Sequence, residues 1–267
     1  MSATFLQNFV KIPVLDLFSN QFPYRSFFLN NAFAEISSVH FPSQQLLGKQ
    51  AEFLFEHLLK ESPEYDILGA NIQIQGATET LGEIDYLVFQ KSNQSVTHIE
   101  LACKFYLLDT VLGDSLVEQW IGPNRKDRLS DKLSKLKNKQ FPMLYRPETL
   151  PNLESLAISA KDIEQKLCLK AFLFLPLQYN SNLLPEAYRI CVAGTYLKAT
   201  EFSNLDPHAQ YAFPQKKEWL LPEEAINHWI SFKDAIKQIE HVTKEKRSAL
   251  VYIKVDKLIR KVFVVCW

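Results

Sequence analysis

Two acids stand inside apolar, strand-like runs. Asp85 lies in Gly82-Glu83-Ile84-Asp85-Tyr86-Leu87-Val88-Phe89, and Glu100 in Thr97-His98-Ile99-Glu100-Leu101-Ala102-Cys103-Lys104-Phe105. A carboxylate in an apolar run is costly unless a partner, a hydrogen-bond network or a metal ion offsets its burial. Two on neighbouring strands, with Lys104 a little further along, suit a divalent-cation site that cuts phosphodiesters. Mg²⁺ or Mn²⁺ takes such oxygen ligands, completed by water and a substrate phosphate. The ion would polarise the phosphoryl oxygen and lower the pKa of bound water. A lysine would orient that water or steady developing charge. The plainer alternative is an acid paired with a cation across the sheet, or solvated on an exposed face.

The elements that position these acids are legible in part. Alternation puts Glu83, Asp85, Leu87 and Phe89 on one face, and His98, Glu100, Ala102 and Lys104 on one face of the next strand. The link Lys91-Ser92-Asn93-Gln94 suits a hairpin between strands over 81–90 and 95–107. Upstream, Leu47, Ala51, Leu54 and Leu58 recur at helical spacing, with Ser43 as the expected N-cap and Pro63 as a stop. A strand is expected over 67–76, a helix over 125–140, and an apolar strand over 168–175. Further strands are expected near 188–194, 249–256 and 260–266, with a helix near 222–240. Residues 1–42 read as an irregular, aromatic-rich wrap. The expected organisation is a single domain over 1–267, with a core at 43–177 and a C-terminal elaboration at 178–267.

Composition narrows the classes. With 47% apolar residues and 19 Phe the chain can build a packed core, so disorder is excluded. Thirty basic and thirty acidic residues leave no net cationic field, so contact with nucleic acid must come from a local patch. Cys103, Cys168, Cys191 and Cys266 form no CxxC pair, which argues against structural zinc. Five of the histidines (His57, His98, His208, His228 and His241) show no metal-ligand spacing, although His98 could line the Glu100 face. No long apolar run or leader-like segment is visible, so a cytoplasmic, membrane-free setting is expected.

The order of a helix with Glu52, strands with Gly-Glu-Ile-Asp and Ile-Glu-Leu-Ala-Cys-Lys, a basic helix and an apolar strand resembles the PD-(D/E)XK phosphodiesterase superfamily. More narrowly, the chain is similar to an uncharacterised bacterial family assigned to that superfamily, whose members carry a similar Glu-Leu-Ala-x-Lys-Phe-Tyr segment. The resemblance implies an α/β fold with a restriction-endonuclease-like core: a central mixed sheet flanked by helices, with a C-terminal α/β elaboration. It implies Asp85 and Glu100 as Mg²⁺ or Mn²⁺ ligands, Glu52 as an assisting helical acid, and Lys104 as the catalytic lysine. Here the usual lysine position holds Ala102. Lys104 comes two residues later, about 13 Å along the strand from Glu100 rather than about 7 Å. A bulge at Ala102-Cys103 would shorten this, or Lys132 would replace it from the helix.

Residues 122–140 hold seven Lys or Arg against two Asp. Leu129, Leu133 and Leu136 form an apolar stripe, leaving Arg125, Lys126, Arg128, Lys132 and Lys135 outward as a phosphate-backbone track. An ordinary solvated amphipathic face is the alternative. The expected partner is nucleic acid, DNA before RNA. The function expected first is a metal-dependent nuclease; the alternative is an inactive nuclease-like fold that binds nucleic acid or protein.

Overall fold

Hydrophobic periodicity switches along this chain between two and about 3.6 residues, and the elements follow it. In a computed structural model, residues 2–19, 21–29 and 41–267 are described. Their order is α1 (Ser2–Lys11), β1 (Arg25–Ser26), α2 (Leu47–Glu61), β2 (Tyr65–Gln75), β3 (Thr80–Gln90), β4 (Ser95–Leu108), β5 (Trp120–Ile121) and α3 (Leu129–Lys135). Then come α4 (Leu150–Ser155), β6 (Ile163–Pro176), α5 (Glu186–Arg189), β7 (Val192–Lys198), β8 (Gln210–Ala212), α6 (Phe232–Lys244), β9 (Ala249–Val255) and β10 (Leu258–Val265). The fold is α/β, with a mixed sheet of ten strands among the described residues, flanked by helices. Among the described residues, no helix is long and apolar enough to cross a membrane.

Two compact units share the chain. The first comprises residues 1–40, 51–103 and 131–170; the second comprises 41–50, 104–130 and 171–267. In the first, the strand order is β2-β3-β4-β6, with β1 parallel to β6 at Arg25↔Lys166. The β3–β4 hairpin follows the expected boundaries. Helix α2 packs on β3 through Phe55 and Tyr86, whose rings lie 5.1 Å apart. The expected N-terminal wrap is partly helical: α1 buries Leu6 and Phe9, three residues apart on one helix face. The buried Lys170 ammonium donates to the Ile12 carbonyl at 2.7 Å, just past the α1 C-terminus. The rest of that expectation, over 30–40, lies outside the described residues.

In the second unit the strand order is β4-β6-β7-β10-β9-β8, with β5 antiparallel to β4. Helix α6 lays Ala235 and Ile239 on Val251, Ile253, Val262 and Val264. Parallel β7 and β10 approach closely at Gly194, where an added Cβ would collide with the Lys261 carbonyl oxygen. We expect Gly194→Ala to cost about 1–3 kcal/mol, measured by urea unfolding, because the obstacle is main chain and cannot rotate away.

Local competition moved several boundaries. The first core helix starts at Leu47 rather than after Ser43, because Ser43 and Gln45 are taken up in turns onto Phe41 and Pro42. The expected helix over 125–140 starts at Leu129 as α3 and widens into a π turn over Leu136–Gln140. Residues 122–128 form a loop instead. Arg125 N–H closes a turn on Gly122 O at 2.8 Å, and Arg125 has a left-handed φ of 56°. The expected strand near 188–194 begins only at Val192, because the chain first makes the short helix α5 after Pro185. The expected helix near 222–240 starts at Phe232, capped by Ser231. Ile230 before it is held extended by paired main-chain hydrogen bonds with Tyr211.

Candidate functional site

The β3–β4 ladder ends at the pair Tyr86↔Ile99. The next positions in that register are Asp85 and Glu100, and directly opposed residues of an antiparallel pair share a face. There the side chain of Asp85 takes over from the main chain: its Oδ2 accepts the Leu101 N–H at 2.8 Å. On the other flank of β3, register pairs Ala70↔Tyr86 and Ile72↔Ile84 place Asn71 across from Asp85. Asn71 has a φ of 51°, a left-handed conformation that asparagine tolerates better than most residues. At Asp85, β2 thus departs from regular β geometry, and the main-chain pairing of β3 with β4 has ended.

Glu100 is fully buried, and protein donors reach both of its oxygens. Oε1 lies 2.9 Å from His98 Nε2, and Oε2 accepts from the Gln140 amide. Gln140 Oε1 in turn accepts from the Lys132 ammonium at 2.9 Å. Gln140 ends the π turn, a distortion that re-aims one turn of side chains and recurs at functional sites. Behind His98, the Gln165 amide lies 2.9 Å from Nδ1 and donates to Phe141 O at 2.8 Å.

Burial and mutual repulsion set the electrostatics. Burial pushes the Asp85 carboxyl up to about 7, and the nearby Glu100 adds to the rise, against the Leu101 N–H and Lys132. Burial pushes Glu100 up to about 8, against Lys132 and the Asp85 backbone amide. Burial also holds His98 down to about 4, so it is neutral at pH 7. Acids with folded pKa values above their unfolded ones stabilise the fold fully below the unfolded values and lose that contribution as pH rises through the folded ones. Without metal, we expect this pair to remove on the order of 7 kcal/mol of stability between pH 5 and pH 8.5, in EDTA-treated urea titrations. Asp85→Asn should flatten the profile.

An oxygen-only donor set suits a hard cation. His98 is not available as a ligand, because Gln165 and Glu100 engage both ring nitrogens. The two Glu100 oxygens offer four lone pairs, and three donors (His98, Gln140 and the Asp85 backbone amide) leave one for an ion. Among the described residues no group of three or more His, Cys, Asp or Glu is placed to hold a metal. One or two carboxylates, with water and substrate phosphate completing the shell, is a mode in which Mg²⁺ is bound.

The expected site residues divide. Asp85, Glu100 and Lys132 come together, with Lys135 also lowering the Glu100 carboxyl. Lys104 pairs with Asp127 at 3.0 Å, within the second unit. Glu52 lies on α2, where its carbonyl accepts from the Tyr86 hydroxyl at 3.1 Å. The expected single basic face is divided. Arg125, Lys126 and Arg128 sit in the 122–128 loop, and Arg125 is engaged by Asp109 at 2.9 Å and stacked 4.4 Å from the Trp267 ring. Lys126, Arg128 and Lys135 are exposed. Sequence reasoning missed Gln140 and Gln165, since an isolated glutamine has no spacing that marks it.

No curated protein and no solved structure matches the chain. A family model matches residues 30–264, nearly the whole length, and the chain belongs to that family, described as a domain of unknown function (DUF1853).

Proposed function

We propose that the chain is a metal-dependent phosphodiesterase of the PD-(D/E)XK type that hydrolyses nucleic acid, DNA in preference to RNA. One observation carries this: Asp85 and Glu100 occupy opposed register positions where the β3–β4 ladder ends, each held by protein hydrogen bonds and each destabilised as an anion. Asp85 and Glu100 would hold Mg²⁺ or Mn²⁺, which when bound supplies a polarised phosphoryl oxygen and a more acidic water. Lys132 takes the lysine role in place of Lys104, since it is the cation that acts on both carboxyls. Lys126, Arg128 and Lys135 offer exposed charge for phosphates. A cytoplasmic setting is part of the proposal, supported by four free cysteines.

A second reading is a nuclease-like fold that binds nucleic acid or protein without cutting. Ala102 at the usual lysine position and the Lys104–Asp127 pair favour it. Calorimetric Mn²⁺ titration of the wild type and Asp85→Ala, followed by incubation with single-stranded, duplex and branched DNA, separates the two. Metal binding lost in the variant, with cleavage by the wild type, supports the enzyme. Binding without cleavage supports the module, and no Mn²⁺ binding in either protein sinks the metal site.

A further inference from the structure

Gln165 and His98 form a chain of hydrogen bonds whose polarity is fixed by chemistry alone. The Phe141 carbonyl can only accept, so the group facing it at 2.8 Å is the Gln165 amide nitrogen. That nitrogen also faces His98 Nδ1 at 2.9 Å, and a planar NH₂ has a second proton to give. Nδ1 must therefore accept, and in a neutral ring the proton then sits on Nε2. That proton points at Glu100 Oε1, 2.9 Å away. His98 is fully buried and packed edge-on to the Phe141 ring at 5.5 Å, so the imidazole has no room to rotate.

We infer that Gln165 and His98 are positioning residues, with the Gln165 amide locking His98 as the Nε2–H tautomer so that its proton fixes the plane of the Glu100 carboxylate. With Gln140 on Oε2 and the Asp85 backbone amide as a third donor, the carboxylate is held at both oxygens and keeps one lone pair free. Buried donors without such a lock could flip and turn a lone pair, rather than a proton, toward Glu100. The inference rests on the metal-site proposal for its purpose but not for its first test. Outer partners of this kind change metal affinity about 10–100-fold when removed.

The tautomer is read directly from the ¹⁵N ring signals of His98 in the metal-free protein at pH 7. The wild type is expected to carry its proton on Nε2. Gln165→Glu is close to isosteric; protonated, it donates to Phe141 O and accepts from the ring, so the His98 proton should move to Nδ1. Gln165→Leu, which has no polar group, should leave both tautomers populated. A proton on Nδ1 in the wild type, or an unchanged tautomer in both folded variants, overturns the lock. Calorimetric titration with Mn²⁺ then tests its purpose: affinity should fall about tenfold in both variants. Tautomer loss with unchanged Mn²⁺ affinity overturns the positioning role. If the wild type binds no Mn²⁺, the metal-site reading fails and the positioning role falls with it, while the tautomer lock still stands or falls on the ring signals.

Discussion

Asp85→Asn is expected to abolish Mn²⁺ binding, lower DNA cleavage about 10³-fold and make the metal-free protein more stable at pH 8.5. The two effects have opposite signs because one carboxylate serves two states. In the proposed metal site the Asp85 charge would be a ligand, and metal-assisted charge stabilisation amounts to several kcal/mol in a transition state. About 4 kcal/mol corresponds to 10³-fold in rate. Without the ion, ionising Asp85 next to Glu100 in a buried site works against folding, as its rise to about 7 records. Asparagine keeps an oxygen for the Leu101 N–H and cannot ionise. We expect a gain on the order of 4 kcal/mol at pH 8.5, vanishing below about pH 3 where the wild-type carboxyl is protonated in both states. A variant that loses stability at pH 8.5 as well as activity would mark Asp85 as a structural acid.

The second large effect separates two lysines. Lys132→Met should lower cleavage about 10²-fold, the lower end of what removing one oriented charge-stabilising donor costs. It should also shift the onset of Mn²⁺ binding to higher pH, since Lys132 lowers both carboxyls. Lys104→Met should leave the rate within about twofold. Lys104 and Asp127 are both half-buried with their side chains still open to solvent, and such a pair contributes about 1 kcal/mol at most. The check is a pair of pH–rate profiles with calorimetry on the same proteins. A neutral Lys132→Met beside an inactive Lys104→Met would return the role to the strand lysine.

Much of the scaffold is written in short-range patterns. The hairpin at Lys91–Gln94 and the opposed positions of Asp85 and Glu100 follow from strand alternation and a four-residue turn. The apolar spacing of α2 and the Leu129, Leu133 and Leu136 stripe follow from the helical period, and all three of those leucines are buried. Boundaries that depend on competing local hydrogen bonds were less legible. The expected helix over 125–140 included Arg125, and nothing in the local charges showed that this residue would stay in a loop and pair with Asp109.

The amino-acid sequence by itself determined which two acids oppose each other, because register in a short hairpin is set by residues close along the chain. Only the tertiary structure decided what surrounds them. Gln140 arrives from a π turn 40 residues beyond Glu100, and Gln165 from β6, 67 residues beyond His98. Neither has a periodic relation to the acids, so no spacing rule reaches them. The link from Lys132 through Gln140 to Glu100 belongs to the same level. Spacing along β4 ranks lysines by distance on one strand, whereas Lys132 lowers both carboxyls through space from another element.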